Sequence, residues 1–391
     1  MLTDTKDNPV TNQIVIVIVI LMAVGTVFVF SASANVGQKL DLQRFYDFPA
    51  LRQILFLPLA CAVLYLVSCF DYRRLGLSNG WLKSLSAYLL IFSIILLVLV
   101  LIPQLGTEIN QARRWLRISA GPFKVSFQPS ELAKWAVVFF LAAVCDKFGA
   151  DIRLFWKRFV PVCAVVGIVV GLIIIEDFGT AAFVALLSFL MLIIAGAKWR
   201  HILIPLPFGA VAFLIMLVRS PGRMGRIWAF WNPEKWADSV AYQANQSLIA
   251  LGSGGLWGKG LGRGICKYGH LPEDTTDFIF AIIGEELGFV GTAAVIVLFI
   301  IFVWLGILVV VRCKDSFGQI LAGGIVLAIA IQAAINIGVV TVVLPTKGIP
   351  LPFVSAGGTS MLLSAAAVGV LLNIAKQSNE ESKQLVDEPK V

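Results

Sequence analysis

The stretch Leu271–Phe289, LPEDTTDFIFAIIGEELGF, places five carboxylates (Glu273, Asp274, Asp277, Glu285 and Glu286) at the mouth of, or inside, an otherwise apolar segment. Charge in an apolar membrane segment is costly, so acids retained there point to a working site. Glu273, Asp274 and Asp277 close the chain's one long polar loop, whereas Glu285 and Glu286 sit one to two helical turns deeper. The apolar run 278–311 exceeds the roughly 20 residues that one crossing needs. It therefore predicts a short helix or re-entrant turn through Glu285 and Glu286, followed by a span.

The rest of the sequence agrees with a bilayer setting. Hydrophobic residues make up 59% of the chain, charged residues only 14%, and the mean hydropathy is +0.89, which excludes an ordinary soluble domain. About ten stretches can span the hydrocarbon, near 12–33, 51–70, 84–103, 130–146, 159–175, 178–197, 201–219, 287–311, 318–344 and 353–375. The expected fold is an all-α polytopic membrane protein with one membrane domain over 1–376, a long outer loop at about 220–276, and a short disordered cytoplasmic tail over 377–391.

An even number of spans puts both termini on one side, and the basic residues choose the cytoplasm. With the termini inside, about 15 Lys and Arg fall in tails and short inner loops against roughly 8 in short outer loops. Arg113, Arg114 and Arg117 crowd one outer loop against that trend. The start MLTDTKDNPVTNQ has no basic region and no cleavage site, so the first apolar run is expected to be retained as a span. Of the cysteines, only Cys266 falls on the oxidising side, which leaves no intramolecular disulfide framework there. The net charge of +8 suits inner-leaflet contact, and nothing points to nucleic acid.

The outer loop is rich in local signals. Arg223 and Arg226 stand beside Trp228, Trp231 and Trp236, a mixture suited to the membrane interface, and Glu234 to Ile249 reads as an amphipathic helix lying on the membrane. Seven glycines between Gly252 and Gly264 give a backbone able to approach a ligand closely, or simply a flexible connector. GKGLGRG lacks the ending and flanking elements of a nucleotide loop. Arg113, Arg114, Arg117, Arg223, Arg226, Lys259, Arg263, Lys267 and Lys347 face the acids around Asp277. That set suits an anionic headgroup, particularly a pyrophosphate, although scattered solvated ion pairs would produce the same list. Asp277 could equally be the N-cap of the helix that follows it.

LPEDTTDFIFAIIGEELGFVG together with LPTKGIPLPFVSAGGTS, Leu344 to Ser360, resembles the signature pair of the SEDS family (shape, elongation, division and sporulation). ARRWL at Ala112, QPSELAK at Gln128, DFGT at Asp177, YQANQSLIALGSGG at Tyr242 and GKGLG at Gly258 follow in that family's order, across about 110–360. LPTKG and IGEELG, Ile283 to Gly288, resemble the division branch, FtsW, more than the elongation branch, RodA. The resemblance implies a peptidoglycan glycosyltransferase of the bacterial inner membrane, working at the division septum. It would polymerise lipid II, a disaccharide-pentapeptide on undecaprenyl pyrophosphate, into a growing glycan strand. It further implies a class B penicillin-binding protein as transpeptidase partner, other division proteins, and Asp277 as the catalytic acid.

The implied reaction inverts an α-linked pyrophosphate donor into a β-1,4 polymer in one displacement. Such a step needs a base for the acceptor hydroxyl and positive charge for the departing pyrophosphate. Asp277 is the candidate base. Arg113, Arg114, Lys347, Arg223 and Lys267 are candidates for the leaving group, and Trp115, Glu273 and Ser355 complete the expected substrate-binding set. A divalent cation, Mg²⁺ or Mn²⁺, would suit a pyrophosphate, and no organic cofactor is expected.

Lys134 is an intramembrane cation that requires a partner, either Glu131 one turn away or Glu285 or Glu286 across the bundle, as a structural pair. Pro345, Pro350 and Pro352, with Gly348, Gly357 and Gly358, break the helices around Lys347, and irregular backbone at that depth belongs where it lines a cavity. Thr275, Glu176, Gln111 and Ala356 depart from the family's usual His, Pro, Gly and Tyr. The competing reading is a lipid II flippase or a scaffold, since transporters also combine broken helices with buried charge.

Overall fold

The computed structural model describes residues 9–33, 48–77, 80, 83–109, 112–120, 123–236 and 239–387. Gln111, residues 1–8 and residues 388–391 lie outside that set. The chain folds into helices α1 (Pro9–Ser33), α2 (Pro49–Ser68) and α3 (Leu85–Leu101), then strands β1 (Gly106–Ile109), β2 (Ala112–Ala120) and β3 (Phe123–Phe127). There follow α4 (Pro129–Phe148), α5 (Val160–Glu176), α6 (Phe178–Ile194), α7 (Trp199–Leu203), α8 (Pro205–Val218), α9 (Pro221–Trp231), α10 (Tyr242–Gly254), α11 (Ile279–Arg312), α12 (Ser316–Val340) and α13 (Gly358–Asp387).

Local chemistry sets many of the helix starts. Proline opens α2, α4, α8 and α9, where its fixed φ fits and its missing N–H is not needed. Asp177 and Asp315 cap α6 and α12 by accepting the N–H of Thr180 and Gly318. Helices occupy each of the ten stretches expected to span. Six are long and apolar enough to cross a membrane, and Leu85–Leu101, Phe178–Ile194 and Gly209–Val218 are shorter apolar helices. The remaining one, α4, carries Glu131, Lys134, Asp146 and Lys147, yet it is the hub of the bundle. It packs on α3, α5, α6, α12 and α13, with 15 of its 20 residues buried.

The all-α polytopic fold is as expected, and within it β1, β2 and β3 form a small antiparallel meander on which ARRWL lies. Along β2, Thr107 pairs with Trp115 and Glu108 with Arg113, so Arg114 is the extra residue of a β-bulge. The helix expected over Glu234–Ile249 is instead a 3-10 turn, Pro233–Trp236, followed by α10. The Trp236 carbonyl accepts the N–H of both Ser239 and Ala241 just ahead of α10. Rather than lying on the membrane, α10 packs on α11 through the small buried residues Ala244, Ser247, Ala250 and Gly254. Finally, α13 runs on to Asp387, so the tail expected to be disordered is helical over most of its length.

The long apolar segment is broken as its length requires. Within α11, Gly288 has φ 68° and ψ −161°. A Cβ there would collide with the Gly258 nitrogen and come within 2.6 Å of the Leu256 carbonyl carbon. Both the left-handed φ and the close approach demand glycine. Gly288→Ala should therefore destabilise the fold by at least ~2 kcal/mol, read as a lower apparent melting temperature in detergent. An unchanged melting curve would show that the break is not fixed.

Candidate active site

The break in α11 frees backbone groups that a membrane interior cannot leave unpaired. The glycine-rich loop supplies their partners. Lys259 and Gly260 donate their N–H to the Glu285 and Glu286 carbonyls at 3.0 Å each, and the N–H of Phe289 and Val290 reach the Gly255 and Leu256 carbonyls. The two side chains are bound by the same loop. Glu285 accepts from Lys259 Nζ at 2.6 Å and from the N–H of Ile265 and Cys266. Glu286 accepts from Lys267 Nζ and Ser31 Oγ at 2.8 Å, and from the Gly262 N–H at 3.0 Å. Both carboxylates are fully buried, and Lys267 is 3% exposed.

This folded loop leads into the turn that presents Asp277. Glu273 adopts a left-handed φ of 58°, and its carbonyl accepts the N–H of Thr276 and Phe278. The turn is tied to the segment between α12 and α13. Ser355 Oγ donates to the Thr276 carbonyl at 2.6 Å and accepts the Leu351 N–H, and the Ala356 N–H donates to the Thr275 carbonyl at 2.8 Å. Gly348 lies directly against the acid, since a Cβ there would sit 2.8 Å from Asp277 Oδ2.

Around Asp277 the charges converge. Lys347 Nζ lies 5.0 Å from the centre of the Phe178 ring and Arg223 Cζ 5.4 Å from the same ring. Arg223 also donates to the Ile175 carbonyl at 3.0 Å. Arg114, turned by its bulge, donates from Nε to the Glu176 carbonyl at 2.9 Å, while Glu176 Oε2 accepts the Arg113 N–H at 2.7 Å. Asp177 is held by Thr180 and by Gln128.

Among the described residues, neither the Asp277 carboxylate nor the Lys347 ammonium has a hydrogen-bond partner. The Asp277 surface is only half covered, but its carboxyl is enclosed by surrounding atoms. That burial first, then the charges of Glu273 and Asp177, push its pKa up to about 7 against the pull of Arg114 and Arg226. A carboxylate with open lone pairs that titrates near neutrality is suited to take a proton from a hydroxyl. Burial lowers the Lys347 pKa, and the nearby Asp177 opposes that shift.

The structure sorts the expected residues. Asp277, Lys347, Arg114, Arg223 and Glu273 come together. Arg113 lies in the same region, but its side chain pairs with Glu108 at 3.3 Å on the surface, and Trp115 is a half-buried residue of β2 opposite Thr107. Ser355 serves the backbone of the two loops. Lys267 does not belong to a substrate site: its charge is consumed by Glu286, Ser31 and the Gly262 carbonyl. Lys134 donates to Glu131 at 2.8 Å and to Gln332 at 2.9 Å, so its partner is the near acid and not Glu285 or Glu286.

Three residues of the site were not singled out as site residues from the sequence: Asp177, Gln332 and Asn336. Asp177 lies in the DFGT motif that the sequence displays. The two amides lie in an apolar helix, and their isolated polarity at a spacing of four residues was the available signal.

Residues 11–380 match the family profile FtsW/RodA/SpoVE, described as cell cycle protein. Stage V sporulation protein E of Bacillus subtilis is 38% identical over 378 residues, covering 96% of this chain and 99% of that protein. The probable peptidoglycan glycosyltransferase FtsW of Trichlorobacter lovleyi is 39% identical, covering 93% and 92%. The crystal structure of the rod shape determining protein RodA from Thermus thermophilus aligns with a TM-score of 0.64 at 26% identity, covering 93% and 96%. A peptidoglycan synthase complex, solved to show how polymerisation and crosslinking are coordinated, contains a chain that aligns with a TM-score of 0.72 at 24% identity, covering 93% of this chain and 97% of that one.

A buried pair stripped of one member leaves an uncompensated charge, at a cost of roughly 3–5 kcal/mol. Lys267→Met should therefore lower stability by that order, measured as thermal unfolding in detergent. A folded Lys267→Met of native stability with weakened substrate binding would return Lys267 to the substrate site.

Proposed function

The chain belongs to the FtsW–RodA–SpoVE family of cell cycle proteins, and from that premise we propose that it is a peptidoglycan glycosyltransferase that polymerises lipid II in cell division. The observation that carries this reading is the pairing of an open carboxylate, Asp277, with cations that are only partly used by the protein. Asp277 accepts the proton of the acceptor sugar hydroxyl as its oxygen bonds to the anomeric carbon of the donor. The bond from that carbon to the pyrophosphate breaks, and the leaving group departs with the electron pair. Lys347, Arg114, Arg223 and Arg226 stabilise the charge it gains, from positions fixed before the reaction begins. Attack and departure on opposite faces invert the α-linked donor into a β-linked product.

The described residues contain no group of three or more His, Cys, Asp or Glu arranged to hold a metal ion. A divalent cation would thus need a single carboxylate together with substrate phosphates, the usual arrangement for Mg²⁺. Asp177 is taken up by Thr180 and Gln128, and Asp277 serves as the base, so Glu176, whose Oε1 has no protein donor among the described residues, would be the protein ligand. Such an ion would add positive charge for the leaving pyrophosphate.

The membrane helices make this a multi-pass membrane protein. We place it in the bacterial inner membrane at the septum, with both termini cytoplasmic and Asp277 on the outer face. A class B penicillin-binding protein is the proposed partner. The fold shared with a chain of a polymerising and crosslinking synthase complex supports that pairing.

The test is polymerisation of labelled lipid II by the purified protein, with and without a cognate transpeptidase. Wild type should make polymer, and a folded Asp277→Asn should lose at least about a hundredfold in rate, the scale of a missing general base. Equal polymer from both would remove Asp277 as the base. Absence of polymer from either, with movement of lipid II across vesicles intact, would favour the flippase.

A further inference from the structure

On the reading that Asp277 is the base, we propose that Asn336 and Gln332, one turn apart on α12, are positioning residues that hold Asp277 and the Lys347 loop in a single frame. Asn336 is 1% exposed and Gln332 3%. A primary amide that deep in an apolar bundle is unfavourable unless its donors are used. Asn336 Nδ2 donates to the carbonyls of Asp277 and Ile349, at 2.8 Å each. Both partners are acceptors only, so the amide must present its NH₂ to them. Its Oδ1 is buried without a partner, so the side chain is held through its two donors alone.

Gln332 continues the link. Its Nε2 donates to the Pro350 carbonyl at 2.9 Å, and its Oε1 accepts from Lys134 Nζ at 2.9 Å. Lys134 is anchored in turn by Glu131 on α4, the hub of the bundle. A polar chain therefore runs from α4 through α12 to the two irregular segments that meet at the site. One segment carries Asp277. The other carries Lys347, with Gly348 packed against the Asp277 carboxylate.

Only two residues, Gly348 and Ile349, separate Lys347 from Pro350, and the Ile349 carbonyl is closer still. Fixing those two carbonyls and that of Asp277 on one helix face thus fixes base and cation relative to each other. Neither amide side chain is shown touching the space where substrate would lie, so loss of the clamp should slow the displacement more than it weakens binding. Misplacement of a reacting group by about 1 Å can cost on the order of a hundredfold.

The experiment uses the full-length protein with its transpeptidase and lipid II, and compares wild type with Asn336→Ala, Asn336→Asp and Gln332→Glu. Asn336→Asp keeps size but sets acceptors against two carbonyls, and Gln332→Glu keeps an oxygen for Lys134 while losing the donor to Pro350. In the Asn336 variants kcat should fall about ten- to a hundredfold with KM within about twofold. The acid limb of their pH profile should also move, because the surroundings of Asp277 change. Gln332→Glu should show the same pattern more weakly.

A folded Asn336→Ala with kcat within twofold of wild type and an unmoved acid limb would overturn the proposal, as would a loss confined to KM. Should the Asn336 variants fail to fold, Gln332→Glu decides alone by the same kcat and pH criteria. Inactivity of the wild type itself would instead refute the glycosyltransferase reading, and this inference with it.

Discussion

Two adjacent carboxylates, Glu285 and Glu286, are buried inside a helix that is broken immediately after them, and the surrounding loop and helices are organised by the need to satisfy them. In an apolar medium each unpaired charge or backbone group costs several kcal/mol. The sequence answers with glycines flexible enough to wrap the break, two lysines, and Ser31 from α1. The loop between α10 and α11 is therefore a fixed part of the structure, and its far end delivers the turn that bears Asp277.

The distribution of satisfied and open charge separates support from chemistry. Lys134, Lys259, Lys267, Glu131, Glu285 and Glu286 are all paired. Asp177 is saturated by the helix it caps. Against that background the open lone pairs of Asp277 and the open donors of Lys347 stand out. In the proposed reaction, charges held ready by the surrounding structure need no reorganisation when the leaving group departs, which is where electrostatic catalysis gains most. The β-bulge at Arg114 serves the same end, turning one arginine of a surface strand towards the end of α5.

Much of this was legible in the sequence because membrane physics leaves few alternatives. Apolar length located the helices, and the excess length of 278–311 announced a break, which falls at Gly288. Of the acids of Leu271–Phe289, Glu273 and Asp277 fall in the candidate site, whereas Glu285 and Glu286 are bound by the glycine-rich loop. What escaped was whatever depends on partners distant in sequence. Lys267 looked like a substrate cation because its charge was visible, but the burial that spends it on Glu286 was not. Gln332 and Asn336 were two amides in an apolar run, and their role emerges only when the Lys347 loop folds back over them. The meander β1–β3 was obscured by the short, charged character of its strands, and α10 by glycine and serine residues whose small size is what lets it pack on α11.

The most direct test of Asp277 as a base tuned by its neighbours is the pH dependence of kcat/KM for lipid II polymerisation, in wild type and in Glu273→Gln. A base must be ionised to act, so the rate should rise with pH and level off above an apparent pKa near 7. Removing the Glu273 charge, which helps to raise that pKa, should move the rising limb to lower pH. A rate that is flat across neutrality, or a limb that stays in place or moves upward in Glu273→Gln, would contradict the assignment of Asp277 as the base.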